Sequence, residues 1–312
     1  MRFSIIIPLY NKAPYVEKAI QSVLTQTYEE FELIVIDDGS NDGSLEKIQK
    51  FKSAKVQIVS QENQGVSITR NNGVKLAKYD YIAFLDADDW WESTFLQEMK
   101  KVIEKYPNAG IYGSNYYKVK NNKFIPAKIG VEDSFESGVI NYFRVYSTTL
   151  WMPLTSISVV IPKEVFVYEN GFNSSLKLGE DFDLWIRIAQ KYPVVFINKL
   201  LAYYNQDVDV SKRAVGEKFY KPDEHMLFSD YSTFSNNNDF IFLFQRLALY
   251  GLLPYYLNKK NTSEVNHILQ SIDWKKHEKK YYLYYKIVPR VILNRYLSIL
   301  KVGSKIKSFI RK

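Results

Sequence analysis

Apolar residues in the first third of the chain occur in two different patterns. Short continuous apolar runs, of which Ile5-Ile6-Ile7 is the first, have strand length and suit burial on both faces of a sheet. Between them, apolar residues recur three or four positions apart, which is typical of amphipathic helices. The runs predict strands at 5–7, 31–36, 56–59 and 81–85, and the periodic segments predict helices at 15–27, 45–51 and 67–77. This order predicts βαβ units, that is, a Rossmann-like α/β fold with a mostly parallel sheet flanked by helices.

Later segments continue the sheet and then become helical. The pattern predicts an amphipathic helix at 90–106 and a further strand at 109–117. Helical spacing dominates 217–257 and 262–272, and Pro289 suits the first turn of a last helix. We therefore expect an α/β domain over 1–215 and a C-terminal helical extension over 216–312.

Three carboxylates follow the fourth predicted strand, at Asp86, Asp88 and Asp89. Ligands bind at the carboxyl ends of strands in open α/β sheets. Like charges this close need a counter-charge, and a hard divalent cation shared with substrate phosphates would supply it. Alternatively, Asp89 could cap the next helix with Glu92 as its capping-box partner. We expect both, with Asp86 and Asp88 as the ligand pair and Asp89 as the cap.

The second predicted strand also ends in acids, at Asp37-Asp38. The sequence contains no glycine-rich phosphate loop of the dinucleotide-binding or P-loop kind. A carboxylate here would repel a pyrophosphate, whereas it could accept a hydrogen bond from the imino N–H of uracil, thymine or guanine. The alternative is that Asp38 forms an Asx-turn before Gly39.

Four segments in this order resemble the family 2 glycosyltransferases of GT-A fold. They read I-I-I-P-L-Y-N-K, I-V-I-D-D-G-S-N-D-G-S, N-Q-G-V-S-I-T-R-N-N-G and F-L-D-A-D-D. The resemblance covers the first third of the chain closely and the second third loosely. It implies a nucleotide-sugar-binding half over 1–117, an acceptor-binding half over 118–215, and sugar transfer with inversion that usually requires Mn²⁺ or Mg²⁺.

The resemblance also implies roles for individual residues. It places Pro8 and Tyr10 in the base and ribose pocket, Asp38 on the base, Arg70 near the base or diphosphate, Asp86 on the ribose side of the D-x-D motif, and Asp88 on the metal. Taken singly, Tyr10 could be a loop aromatic and Arg70 a solvated helix residue.

A second acidic pair, Glu180-Asp181, follows Gly179. Acids in a first helical turn are favoured by the helix dipole alone. In the family, however, this E-D motif supplies the catalytic base, which implies that Asp181 is the base and that Glu180 helps to position the acceptor. The Q-x-x-R-W signature of processive members is absent, so we expect one sugar per encounter. His225 could be a further metal ligand or a solvated loop histidine.

Basic residues are concentrated at the C-terminus. The net charge is +8, but residues 275–312 carry twelve Lys or Arg against Glu278 alone, a net charge of +11, which leaves the rest at −3. The last helix has a cationic and an apolar face, which predicts contact of 286–312 with an anionic membrane surface at about 1 kcal/mol per basic group. The alternative is a helix packed on the domain with its basic face in solvent. An acidic body argues against nucleic acid as a partner.

The expected function is that of an inverting glycosyltransferase. It would move one hexosyl or N-acetylhexosaminyl group from a nucleotide-diphosphate donor, with UDP favoured by the family, to a glycan or lipid-linked glycan. No signal peptide or spanning segment is evident, so we expect a cytoplasmic protein peripheral to the inner face of the membrane. A nucleotidyltransferase would need a glycine-rich triphosphate loop after the first strand, and an inactive binding module would not need both acid clusters.

Overall fold

Residues 1–208, 219–234 and 236–310 are described by a computed structural model, with side chains from residue 301 onward left aside. The chain divides into two units, Met1–Glu217 and Lys218–Lys312. The predicted boundary between residues 215 and 216 lies outside the described ranges.

Ten strands in the first unit form one sheet among the described residues. They are β1 (Phe3–Leu9), β2 (Phe31–Asp37), β3 (Val56–Ser60), β4 (Tyr81–Phe84), β5 (Trp90–Trp91), β6 (Ile111–Lys120), β7 (Lys123–Pro126), β8 (Ser137–Ile140), β9 (Val159–Pro162) and β10 (Val194–Asn205). The order is β3-β2-β1-β4-β9-β6-β10-β5, with β7 beside β6 and β8 beside β10. Both predicted halves of the catalytic domain therefore share this sheet.

Helices flank the sheet and make up most of the second unit. The first unit contains α1 (Val16–Leu24), α2 (Ser44–Ile48), α3 (Val66–Leu76), α4 (Phe95–Lys105), α5 (Tyr142–Thr149), α6 (Lys163–Tyr168) and α7 (Glu180–Lys191). The second contains α8 (Asn238–Gly251), α9 (Leu253–Leu257), α10 (Thr262–Gln270), α11 (Lys279–Tyr282) and α12 (Arg290–Ile310). The predicted α/β fold with a helical C-terminal extension is confirmed.

Parallel pairing brings the ends of the first strands to one edge of the sheet. Strands β3, β2, β1 and β4 are parallel neighbours, as are β6 and β10, whereas β9 joins β4 and β6 in antiparallel pairs. Helix α3 packs directly on β1 because Gly73 has no side chain, and a Cβ at this position would collide with Ile6. Both β1 and β2 are buried on both faces, as their continuous apolar runs predict.

The predicted helix over 90–106 is wrong at its beginning. Trp90 and Trp91 form β5, which pairs with β10, and α4 begins only at Phe95. The Trp90 ring stacks on Tyr203 with 5.1 Å between ring centroids, and the Trp91 indole donates to the carbonyl oxygen of Ile157. These contacts with distant segments outweigh the local helical spacing, which is the usual way that tertiary packing overrides a local pattern.

The beginning of α12 buries little of its apolar surface. Leu293 packs inward at 1% exposure, whereas Val291 is 82% exposed and Ile299 is 63% exposed. Contact of this helix with a membrane surface and its packing on the domain both stay predictions. No helix in the described ranges is long and apolar enough to cross a membrane.

Candidate active site

The loop after β4 presents the D-x-D carboxylates at the strand's carboxyl end. The side chains of Asp86 and Asp88 are partly exposed, while Asp89 is buried. Burial raises the pKa of Asp88 above its ordinary value, and the ammonium of Lys12 opposes this shift. The two carboxylates that the resemblance assigns to donor and metal are thus partly accessible at the end of β4.

Asp89 does not cap the following helix, which corrects the prediction. The residue before α4 is Thr94, and Asp89 is only 2% exposed. Its Oδ1 accepts the backbone N–H of Asn205 at 2.6 Å, which ties the acidic loop to the end of β10. Burial, and then the charges of Asp88 and Asp86, hold the pKa of Asp89 well above its usual range. We therefore interpret Asp89 as a buried carboxyl that ties the acidic loop to β10.

Arg70 joins the two acidic motifs from within α3. Its guanidinium is 3% exposed, with Nη2 2.6 Å from Asp86 Oδ1 and Nη1 3.3 Å from Glu180 Oε1. It also lies over the ring of Phe172, 5.2 Å from the centroid. Burial would lower the pKa of Arg70, but the charges of Asp86 and Glu180 outweigh burial and raise it. The alternative of a solvated helix residue is wrong, whereas contact with the base or diphosphate stays a prediction.

The second acidic pair begins α7. Gly179 precedes the helix in a left-handed conformation at φ 84°, which favours glycine and turns the chain into the first helical residue. Asp181 Oδ1 accepts the N–H of Phe182 at 2.7 Å. Burial raises the pKa of Asp181 to about 7, with a further rise from the charge of Glu180 and an opposing effect of Arg70. Such a carboxylate can accept a proton near neutral pH, which is the property that a general base needs.

Asp38 accepts three hydrogen bonds from the loop that precedes α3. Its Oδ1 accepts from Gln61 Nε2 at 2.8 Å and from the N–H of Gln64 at 2.9 Å, and its Oδ2 accepts from the N–H of Gly65 at 2.9 Å. The Asx-type contact expected of Asp38 is made by Asp37, which accepts the N–H of Ser40 at 3.3 Å. A carboxylate has capacity for one more donor, so base binding by Asp38 stays a prediction.

Pro8 and Tyr10 lie at the end of β1. Pro8 is partly buried opposite Ile36 in the parallel pair with β2, and the Tyr10 ring is 47% exposed. An exposed ring at this edge could stack on a base, as the resemblance implies, and this assignment stays a prediction.

His225 is not a solvated loop residue. It lies in the second unit, where the ring is buried and Nδ1 accepts the N–H of Leu227 at 3.0 Å. Burial lowers its pKa to about 4, so the ring is neutral at physiological pH. A neutral imidazole is the form that binds metals, but a metal role for His225 stays a prediction.

Two residues to which the sequence assigns no role lie beside the acids. Lys12 Nζ is 2.7 Å from Asp88 Oδ2, and burial followed by the charges of Asp89 and Asp86 raises the pKa of Tyr204 to about 12. Lys12 was visible in the sequence as the last residue of the first motif, directly after Tyr10-Asn11. Tyr204 had no local signal, because β10 reaches the acids only through pairing of distant strands.

The donor set suits a hard divalent cation. In the described ranges no group of three or more His, Asp or Glu could hold a metal by itself. Asp86 and Asp88 supply carboxylate oxygens of the kind that Mg²⁺ and Mn²⁺ prefer, and such ions complete their shells with substrate phosphates and water. The residues present therefore fit a cation shared with a diphosphate.

The known sequences that this chain resembles are glycosyltransferases. Residues 4–158 match the family described as Glycosyl transferase family 2. An uncharacterized glycosyltransferase of Rickettsia conorii is 32% identical over 225 residues, which cover 69% of this chain and 35% of that protein. The UDP-Glc:alpha-D-GlcNAc-diphosphoundecaprenol beta-1,3-glucosyltransferase WfgD of Escherichia coli is 30% identical over 196 residues, covering 62% of this chain and 72% of WfgD. The chain spans about a third or less of the length of the first curated relatives that it matches.

Comparison with solved structures shows a shared fold. The structure of S. aureus TarS in complex with UDP-GlcNAc matches with a TM-score of 0.63 at 16% identity, covering 87% of this chain and 91% of that chain. TarS in complex with UDP matches with a TM-score of 0.59. The prediction of a GT-A fold is thereby confirmed.

Proposed function

This chain belongs to the family 2 glycosyltransferases, and we propose that it moves one sugar from a nucleotide-diphosphate donor to a hydroxyl of a glycan or lipid-linked glycan. We take UDP as the nucleotide because the name of WfgD contains UDP-glucose and TarS was solved with UDP-GlcNAc. The sugar is a hexosyl or N-acetylhexosaminyl group, as in those two donors. The observation that carries the proposal is Asp181, a carboxylate with a pKa of about 7 linked through Glu180 and Arg70 to the D-x-D acid Asp86.

In the proposed reaction Asp181 removes the proton of the acceptor hydroxyl. The acceptor oxygen attacks the anomeric carbon, the bond from that carbon to the diphosphate oxygen breaks with its electron pair, and the configuration inverts. General-base help of this kind contributes about 10²–10⁴-fold to the rate. A Mn²⁺ or Mg²⁺ ion held by Asp88, together with Asp86, would neutralise charge on the diphosphate as a Lewis acid.

The remaining assigned residues bind and orient. Pro8 and Tyr10 line the base and ribose pocket, and Asp38 binds the base while it fastens the loop at residues 61–65. Glu180 positions the acceptor at the beginning of α7. Arg70 bonds to both Glu180 and Asp86. It thereby fixes the distance between the acceptor side and the donor side of the site.

Substitution of Asp181 tests the base. Asp181→Asn should lower turnover by about 100-fold or more while the UDP-sugar still binds, because only the proton acceptor is lost. Asp133→Asn, the same change at an exposed acid in the same unit, is the matched control and should behave like the parent. If Asp181→Asn keeps most of its turnover, the base assignment is wrong.

Ligand binding tests the donor and metal assignments. Only the true donor should raise the melting temperature well beyond its bare nucleotide in a panel of nucleotide sugars with Mn²⁺. Asp88→Ala should remove metal-dependent binding of UDP in calorimetry, and an unchanged titration would contradict that role.

Donor hydrolysis without acceptor distinguishes an enzyme from an inactive binding module, and pyrophosphate release from a nucleoside triphosphate would indicate a nucleotidyltransferase.

We also propose that residues 286–312 hold the protein on an anionic membrane at the inner face. Val291, Ile292 and Ile299 present an exposed apolar surface on α12, and the surrounding segment carries the excess of Lys and Arg. Apolar burial plus attraction to anionic headgroups is how such helices bind an interface.

Vesicle sedimentation tests this membrane surface. The parent should bind vesicles containing phosphatidylglycerol and should bind pure phosphatidylcholine vesicles poorly. The double variant Val291→Asn, Ile299→Asn should lose binding, whereas Val167→Asn, Tyr168→Asn removes equally exposed apolar residues in the first unit and should not. Equal binding of both double variants would refute the assignment.

A further inference from the structure

Lys12 forms an ion pair with the carboxylate that the D-x-D motif assigns to the metal. The Lys12 Nζ to Asp88 Oδ2 distance is 2.7 Å, and the two side chains are 13% and 18% exposed. Because both side chains are partly exposed, a ligand that enters the site can reach this ion pair. The cation proposed for this site would therefore approach an oxygen that already has a cationic partner.

The backbone that carries Lys12 is held firmly by the turn after β2. The N–H of Lys12 donates to Ser44 Oγ at 2.9 Å, and the N–H of Ala13 donates to Asp42 Oδ2 at 3.1 Å. Lys47 Nζ donates to the carbonyl oxygen of Ala13 at 2.9 Å. Because the backbone on this side is anchored, we expect a change near Asp88 to act on the Lys12 side chain rather than on its backbone.

We propose that Lys12 is a displaceable counter-ion that occupies Asp88 in the free enzyme and moves to the donor diphosphate when the cation and nucleotide bind together. This inference rests on the proposed function, since it needs a cation at Asp88 and a diphosphate beside it. An ammonium and a divalent cation on one carboxylate would repel each other strongly even at an effective dielectric constant of about 20. The diphosphate brings negative charge, and lysine is a common point-charge partner of phosphates.

The exchange makes the site selective for a cation that arrives with a nucleotide. A cation alone must displace the Lys12 ammonium from Asp88 and brings no anionic group to attract it. A cation with a diphosphate displaces Lys12 and simultaneously offers it phosphate oxygens. Removal of the Lys12 charge should therefore tighten the binding of the cation alone and weaken the binding of the nucleotide with the cation. A lysine with only a structural role would not produce these opposite effects.

The experiment measures Mn²⁺ binding by electron paramagnetic resonance of the free ion, with and without UDP, on the full chain. Lys12→Met should tighten binding of Mn²⁺ alone by about tenfold and weaken UDP binding at saturating Mn²⁺ by about tenfold. Lys12→Arg keeps the charge and should stay near the parent in both titrations. Lys75→Met removes the same charge from an exposed site in the same unit and should change neither.

The outcomes separate this proposal from the one on which it rests. If Lys12→Met binds Mn²⁺ alone no more tightly than the parent, while the parent binds UDP in a Mn²⁺-dependent way, only the counter-ion proposal is wrong. A parent that binds UDP without help from Mn²⁺ or Mg²⁺ overturns the metal assignment and the counter-ion together. The double variant Lys12→Met, Asp88→Asn should lose the tightening, and a gain that persists there would show that it arises elsewhere and refute the exchange.

Discussion

Asp181 should weaken the fold in the pH range where it serves catalysis. Its pKa is raised from 3.8 to about 7 in the folded state, first by burial and then by Glu180. A group whose folded pKa lies above its unfolded pKa contributes stability that is fully present below about pH 4 and lost as the pH rises through about 7. Asp181→Asn carries no charge, so its stability relative to the parent should increase across this window.

The magnitude follows from the shift. Three pKa units correspond to about 4 kcal/mol, which is a ceiling because Asp181 is partly exposed and water screens part of the effect. We take about half, or about 2 kcal/mol, for the gain above pH 7. The stability difference between Asp181→Asn and the parent develops between pH 3.8 and about 7, and about two thirds of that interval lies between pH 5 and 7. The stability gain of Asp181→Asn at pH 8 should therefore exceed its gain at pH 5 by about 1 kcal/mol.

Urea unfolding of parent and Asp181→Asn at pH 5 and pH 8, in the presence of EDTA, measures this difference. The comparison between two pH values cancels any packing effect of the amide, which is the same at both. Asp133→Asn should show no pH-dependent gain. An equal stability difference for Asp181→Asn at both pH values would refute the raised pKa, and with it the reason for a base that is poised near neutrality.

Three other predictions follow from particular contacts. Gly73→Ala should destabilise the first unit by about 1–3 kcal/mol in urea unfolding, because the new Cβ collides with Ile6, whereas Ser53→Ala on the surface should not. Asp89→Asn should destabilise the first unit less than Asp89→Ala in urea unfolding at pH 7, because Asn keeps an oxygen that can accept the N–H of Asn205 and Ala does not, and equal losses would contradict this role. Single-turnover rates should rise with pH through about 7, and Glu180→Gln should move the midpoint down because it removes a charge that raises the pKa of Asp181, so an upward move would be inconsistent.

The sequence predicts best where local pattern and burial agree. Strands β1, β2 and β4 are continuous apolar runs buried on both faces, so their ends could be located from the run alone. The acids that follow β4 therefore lie at the edge of the sheet that the apolar run predicts. Trp90-Trp91 could not be assigned in this way, since their strand depends on pairing with β10, which no local spacing encodes.

Asp89 shows how a local signature can mislead at a site. The residues Asp89 to Glu92 have the spacing of a capping box, yet both side chains bond to β10 instead, through Asn205 and the hydroxyl of Tyr203. The preference for the distant partners is understandable, because a buried carboxyl gains more from a backbone donor in the protein interior than from a cap at the surface. Arg70 was recognised by its motif, but its two carboxylate partners emerge only when α3, β4 and α7 pack together.

The two cations at the acids have different consequences for the reaction. Arg70 is enclosed and bonded to an acid from each motif, so removing it would leave Asp86 and Glu180 without compensation and would disturb donor and acceptor sides together. Lys12 is partly exposed and pairs with Asp88, the carboxylate that is proposed to bind the metal. Arg70→Met should therefore weaken the binding of both donor and acceptor. Lys12→Met should instead tighten the binding of Mn²⁺ alone and weaken the binding of UDP. A permanent cation preserves the geometry of the D-x-D and E-D acids, and an exchangeable one allows the charge at Asp88 to change with the ligand.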